Sequence, residues 1–460
     1  MELDLEKYAS LFSDGAVTEL RAQESRARKA AMMAGNLVSN SSTLTRGVCA
    51  RVNKCGVSGF AAEASLDADA IGHVLSAAAQ NADFMARKAP GKGAFAPVSR
   101  GERVKPAFDE DKTAQSFYVD AVRQADEYIA KKYPGLESRS VVASGDSVEK
   151  IIVTSDAGAG HTLLPRGYMY ITFTVKGPDG EPVQAHRILG GAGSFEERFA
   201  SLDALKLAAD ELYETVRRKS EGVYAEAGEK ICVMSGTLAG MLAHEAVGHT
   251  LEADLVLAGS VAGPNFGKQV ASPLVSMTDF AHTAFGEAAP LPVYLDDEGT
   301  FACDAPLIVE GRLAGYMHDR ASAHKLGMAA LGNARAWGYS DEPLIRMRNT
   351  AIHPGKSTLE EMIASVDDGY YLVDANNGQA DTTGEFMFGV TVGYEIKNGK
   401  LGRALRDTTI SGVAFDMLKT VDMVCDTVQW SSSGFCGKKQ PMPVGLGGPA
   451  IRCKVMVGGR

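Results

Sequence analysis

The segment that most constrains this chain is His244-Glu245-Ala246-Val247-Gly248-His249. It follows a strand-like apolar run over 230–236 and a stretch of small apolar residues over 237–243. Two imidazoles with a carboxylate beside the first are the groups with which zinc hydrolases hold a metal and activate water. Histidines four apart on a regular helix diverge by about 40° and can share a metal, whereas five apart they diverge by about 140°. A chain that uses both must break the helix. The spacing therefore predicts a π-bulge between His244 and His249, or a helix end near Gly248. The small residues before the pair fit a buried helix that delivers ligands to a cleft. Glu252 and Asp254 beyond it are carboxylates suited to holding imidazole N–H groups.

A catalytic zinc ordinarily takes three protein ligands and a water. Glu252 qualifies by spacing, three residues past His249 on one helix face. His282, His318 and His324 are further candidates. Cys436 qualifies on other grounds, because the glycines of Gly434-Phe435-Cys436-Gly437 allow backbone to approach a buried site closely. Residue chemistry leaves the choice open.

Composition narrows the function classes. A formal net charge of −10 argues against a nucleic-acid partner. No apolar run reaches the roughly 18 residues needed to span a membrane. The N-terminal segment is acidic and amphipathic, unlike a secretory signal, so a cytoplasmic location is expected. The seven cysteines are widely spaced without a C-x-x-C pair, which reads as free thiols with at most one recruited by a metal.

Periodicity predicts an α+β chain of two mixed units. Residues 1–222 form an N-terminal unit with a Gly/Pro-rich linker near 88–106, and 223–460 a β-rich C-terminal unit carrying the metal-binding helix. In the first unit, short alternating strands are expected over 17–62 with a turn at Asn53-Lys54. A helix capped by Asp67 follows, then one over 109–132 with carboxylates in its first turn. Strands are expected from Glu137 to Leu189, turning at 177–180. The run Gly190-Gly191-Ala192-Gly193 lacks the G-x-G-x-x-G spacing of a phosphate cradle. It reads as a flexible loop into a capping box, Ser194 with Glu197, that opens a helix of about twenty residues. Later hairpins are expected at Glu310-Gly311 and Asn398-Gly399.

Beyond these local patterns, the sequence resembles the TldD/PmbA family of metallopeptidases along nearly its whole length. The resemblance rests on HEAVGHTLEADL, YLDDEG at 294–299, GYMHDRASAHKLG at 315–327, GNARAWGY at 332–339, MRNTAIHPG at 347–355 and GFCGKKQPMPVGLGGP at 434–449. The N-terminal RGVCARVNKCGVSGFAA fits as well. The resemblance implies Zn2+ held by His244, His249 and Cys436, with Glu245 as the catalytic carboxylate. It implies a peptidase acting on extended or unfolded peptides, as a homodimer or as a heterodimer with a PmbA/TldE-like paralogue that lacks the metal motif. The alternative is a peptide-binding or maturation scaffold whose metal is structural.

Cys436 can reach the helix only if the C-terminal tail folds back over the cleft, so the second half should be one unit. A free strand edge beside the cleft is expected to receive the peptide. His318-Asp319-Arg320 suits substrate orientation but reads better as an ion pair at a strand end. His282, His324 and His353 read as structural or surface residues.

Overall fold

The computed structural model describes residues 1–88, 94–98 and 101–459, so part of the expected linker, at 89–93 and 99–100, lies outside the described residues. The architecture is α+β, with a β-rich second half. The first half is built on a six-stranded antiparallel sheet. Its two opening strands, Val17–Met33 and Asn36–Lys54, are far longer than the short segments expected, at 17 and 19 residues. They turn at Ala34-Gly35, and the next turn is at Cys55-Gly56, two residues later than expected, with φ of 51° and 79°.

Side chains alternate across a strand, and in Val17–Met33 that alternation separates two environments. Leu20 and Ala22 join a core with Val48, Val74 and Ile151, under the helix Ala68–Lys88. Ala30 and Met32 join a second core with Tyr118, Ile129 and Leu212, under the helices Gln115–Lys132 and Asp203–Ser220. The intervening residues Glu19, Arg21 and Gln23 are buried as well, although polar. They face the second half of the chain. Arg21 donates to the carbonyls of Gly338 and Asp341 at 3.0 and 2.8 Å, and Gln23 to that of Trp337 at 2.7 Å. Lys150 grips both oxygens of Asp297 at 2.9 and 2.8 Å. Arg51 joins Glu19 at 2.7 and 2.9 Å and also binds Glu298. The two halves thus meet in part through paired charges.

Three expected elements differ. The helix expected from 109 begins at Gln115, with Ala114 as its cap and no acidic residue in its first turn. Upstream, the Asp111 carboxylate accepts from Thr113 N–H at 2.9 Å, a local turn that competes with helix. Gly190 and Gly191 end the strand Pro182–Ala192 rather than forming a loop. Gly190 sits at φ 124°, where a Cβ would strike the Gly167 carbonyl on the neighbouring strand. The Ser194–Glu197 capping box is present, but its helix stops at Phe199 and a new one starts at Asp203.

In the second half, Gly445–Val457 is the central strand. It pairs in parallel with Asn349–Ile352 and antiparallel with Thr408–Val413, Met423–Ser431 and Gly228–Met234. Gly228–Met234 also pairs with Asp368–Ala380, which continues through Glu385–Lys397 to Thr408–Val413, so the strands close a barrel. Both expected hairpin turns are present, with positive φ at Glu310-Gly311 and Asn398-Gly399. From Gly228–Met234 the chain runs straight into the helix Gly236–Leu242, started by Ser235, which accepts from Leu238 N–H at 3.2 Å. This helix lies on the central strand because both surfaces are glycine. A Cβ at Gly236 would strike the Gly448 carbonyl, and one at Gly240 would sit 2.8 Å from the Gly447 nitrogen. Among the described residues no helix is long and apolar enough to cross a membrane.

Candidate metal centre

The helix from Gly236 changes pitch at the histidine pair. Ala243–Gly248 is π-helical and His249–Leu251 is 3-10. The His249 N–H bonds to the His244 carbonyl, five residues back, which widens the turn by about one residue. The two rings thereby reach the same side, with centroids 5.1 Å apart and planes at 81°. This is the distortion that the five-residue spacing requires. Cys436 arrives from the short strand Phe435–Cys436, nearly two hundred residues away in sequence, with its Sγ 3.4 Å from His249 Nε2. The ligand atoms of His244, His249 and Cys436 all lie within 4.8 Å of one another.

Two of the three members, His249 and Cys436, are held from outside. The Glu252 carboxylate, fully buried, bonds His249 Nδ1 at 2.8 Å. It therefore orients that ring and turns Nε2 towards the cluster. Asp254 does not touch an imidazole; it pairs with Lys438 Nζ at 2.6 Å, and the same ammonium lies 3.3 Å from Glu252. Arg346, also fully buried, donates to the carbonyls of Cys436, Lys438 and Gln440 at 2.6, 2.9 and 2.7 Å. One guanidinium thus pins three carbonyls of the loop that presents the thiol. The flanking glycines do not have the role that their presence suggested. A Cβ at Gly434 or Gly437 would meet nothing within 4 Å, so no close backbone approach demands them.

Electrostatics match a metal-binding set. Burial pushes the Cys436 thiol up, but the neighbouring His244 and His249 rings outweigh it and bring its pKa down to about 3. Burial pulls His249 down, but its bonds to Cys436 and Glu252 raise it to about 10. His244 is fully buried with neither ring nitrogen hydrogen-bonded, a costly arrangement unless that ring is a ligand. Two imidazoles and a thiolate suit zinc. Glu245, one residue on, has a half-buried carboxylate 3.7 Å from His249 Nε2. It lines an open cleft of about 920 Å³ with His249, Gly378, Asp381, Met387 and Lys438.

The other sequence candidates lie elsewhere. His318 is buried against Ser322 and Met328 at 3.1 Å each. Asp319 caps the helix Arg320–Leu326. Arg320 forms the expected ion pair, at a helix start rather than a strand end, gripping Asp156 at 3.0 and 2.6 Å. His282 stacks on Tyr294, His353 meets the Thr278 hydroxyl at 2.8 Å, and His324 is exposed. Arg346 and Lys438 are the residues sequence reasoning missed. Their only signal is a basic residue directly after the short apolar strand Leu344–Ile345, and a lysine two after the cysteine. Arg346→Met is expected to weaken zinc binding by about 10–100-fold, measured by competition with a chelator. Unchanged affinity would show that the loop holds its shape without this guanidinium.

Residues 228–459 match the family model described as PmbA/TldA metallopeptidase C-terminal domain. The chain is 31% identical over 342 residues to a zinc metalloprotease TldD homolog of Saccharolobus solfataricus, covering 74% of this chain and 71% of that protein. It is 31% identical over 376 residues to a metalloprotease TldD homolog of Haemophilus influenzae, covering 79% and 76%. TldE from Thermococcus kodakarensis superposes with a TM-score of 0.77 at 17% identity, over 99% of each chain. At that identity the likeness is one of fold.

Proposed function

Because the chain belongs to the PmbA/TldD metallopeptidase family, we propose that it is a zinc peptidase that hydrolyses extended or unfolded peptides. The observation that carries this reading is the convergence of His244, His249 and Cys436 beside Glu245 at the cleft. The cluster offers three ligand atoms among the described residues, the number usual in catalytic rather than structural zinc sites. When bound, zinc supplies a Lewis acid that polarises the scissile carbonyl and acidifies water. Glu245 takes the water proton on its carboxylate and passes it to the leaving nitrogen. Glu252 keeps His249 in the tautomer whose Nε2 faces the cluster, and Arg346 and Lys438 hold Cys436 in place.

Strand pairing supports a mode of peptide capture. Asp368–Ala380 pairs with Glu385–Lys397 along its length, but with Gly228–Met234 only over Gly369–Leu372. Its remainder, 374–380, keeps one edge without a ladder partner among the described residues. Gly378 on that edge packs against Glu245, a Cβ there falling 3.2 Å from Glu245 Cγ. An added peptide strand would run past the catalytic carboxylate, with exposed Met387 and Val413 nearby for apolar side chains. Such capture reads backbone rather than sequence, and rejects folded chains.

The test is cleavage of a reduced, carboxymethylated protein beside its native form, together with a short peptide N-methylated at alternate amides. The unfolded chain should be cut and the native one spared, and N-methylation should slow cleavage at least about tenfold through lost ladder bonds. Equal cleavage of the methylated peptide would remove strand addition. In this reading the boundary between units lies near residue 222. The enzyme works in the cytoplasm as a dimer, with itself or with a TldE-like paralogue.

A further inference from the structure

Gly248, the residue before His249, has φ −56° and ψ −46°, helical values open to any residue. Its conformation gives no reason for glycine. Space does. A Cβ at this position would overlap the Met347 Sδ and lie 3.0 Å from the Ala243 carbonyl oxygen. Met347 is fully buried and belongs to neither of the elements that carry the clustered ligands.

The base of this side chain is fixed on both sides. Arg346 holds the carbonyls of Cys436, Lys438 and Gln440. Arg348 is bound to Asp279 through its backbone N–H and its guanidinium. Between them, the Met347 carbonyl accepts from Arg335 Nη1 at 2.6 Å, while Arg335 Nη2 donates to the Pro443 carbonyl at 3.1 Å. Pro443 stands directly across a short ladder from Phe435, and Met442 across from Cys436. The Met347 backbone is thus tied to the hairpin that carries the thiol, and its side chain ends against the turn that carries the imidazoles. A buried side chain held at its base acts as a stop, because a close-packed interior transmits displacement. Gly248 is the matching recess.

We propose that Met347 is a positioning residue of the metal centre, its thioether setting how near the His249 ring comes to Cys436. The inference rests on the zinc reading above and adds the element that fixes the spacing of the site. A methyl group at 248 would push the turn away from Met347, and so carry His249 away from the thiol 3.4 Å from its Nε2. Metal sites hold their ligands to within about 0.2 Å, so such a push is felt in affinity.

The experiment is zinc affinity by chelator competition for the wild type, Gly248→Ala, Met347→Ala and the double variant. The thiolate-to-metal absorption band of the cobalt-loaded proteins is the second readout. Gly248→Ala should weaken zinc at least about tenfold and shift that band. Met347→Ala should weaken it at least about threefold with an unchanged circular dichroism spectrum. With Met347 already truncated, adding Gly248→Ala should cost less than about threefold more, because the recess is no longer filled. Simple loss of core packing would lower Tm and leave zinc affinity alone. Wild-type affinity in either single variant would overturn the proposal. So would an equal cost of Gly248→Ala in both backgrounds, which places the clash at the Ala243 carbonyl. A wild type that binds no zinc would overturn the zinc reading, and this inference with it.

Discussion

Replacing Glu245 by glutamine should lower cleavage of an unfolded peptide by about 10²–10⁴-fold, while about one zinc per chain stays bound. Glutamine matches glutamate in shape, so packing against Gly378 and the cleft wall is kept. The neutral amide cannot accept a proton from water at the pH of the assay. Glu245 is not one of the three clustered ligands, so metal content should not follow activity. The loss belongs in kcat more than in KM, because the carboxylate acts on charge that develops in the transition state. A variant within about threefold of wild type would remove Glu245 from the chemistry.

The second large effect concerns the fold that presents the site. Asp279 is fully buried and accepts from Arg348 Nε at 2.8 Å, Arg348 N–H at 2.7 Å, Asn333 at 2.8 Å and the Thr350 hydroxyl at 3.0 Å. Arg348, equally buried, spends its other nitrogens on the carbonyls of Leu331, Asp279 and Cys303. Together they tie Met277–Phe280 to Asn349–Ile352, the strand beside the central one. Asp279→Ala strands a guanidinium in the interior, so a loss of about 3–5 kcal/mol is expected in urea denaturation. Against a total stability of about 5–15 kcal/mol, that leaves a marginal protein. Asp279→Asn keeps an acceptor and should lose less. A change under about 1 kcal/mol for alanine would mean that the pair is not buried in solution.

How much of this was legible beforehand depends on the kind of information each feature needs. The π turn could be read because the five-residue histidine spacing conflicts with helical geometry, and only a few distortions resolve it. Hairpin turns at Glu310-Gly311 and Asn398-Gly399 could be read because positive φ restricts the residue type. Cys436 could not be chosen over Glu252 from spacing. Both are plausible donors, and only resemblance to a family separates them. The structure shows why Glu252 stands close without joining the cluster: it bonds Nδ1 of His249, on the far side of that ring from Cys436.

Charge was the least legible feature. Glu19, Arg21, Arg51 and Lys150 alternate with apolar residues, as on a strand with one wet face. In the folded chain that face is dry, and Asp297 and Glu298 from the second half complete it. The complement lies more than a hundred residues away in sequence, where no local pattern can point to it. Arg346 escaped for the same reason, since its acceptors are the backbone carbonyls of a loop about ninety residues later. The helix breaks before Gln115 and after Phe199 were missed because propensity ran through them, while local hydrogen bonds and packing decided otherwise.

The central claim is that two histidines five apart and a distant cysteine form one zinc site. Elemental analysis of the purified wild-type protein beside Cys436→Ala tests it most directly. The account predicts about one zinc per chain in the wild type and a loss of at least about tenfold in occupancy in the variant, with an unchanged circular dichroism spectrum. Zinc retained without Cys436, or no metal in either protein, would contradict it.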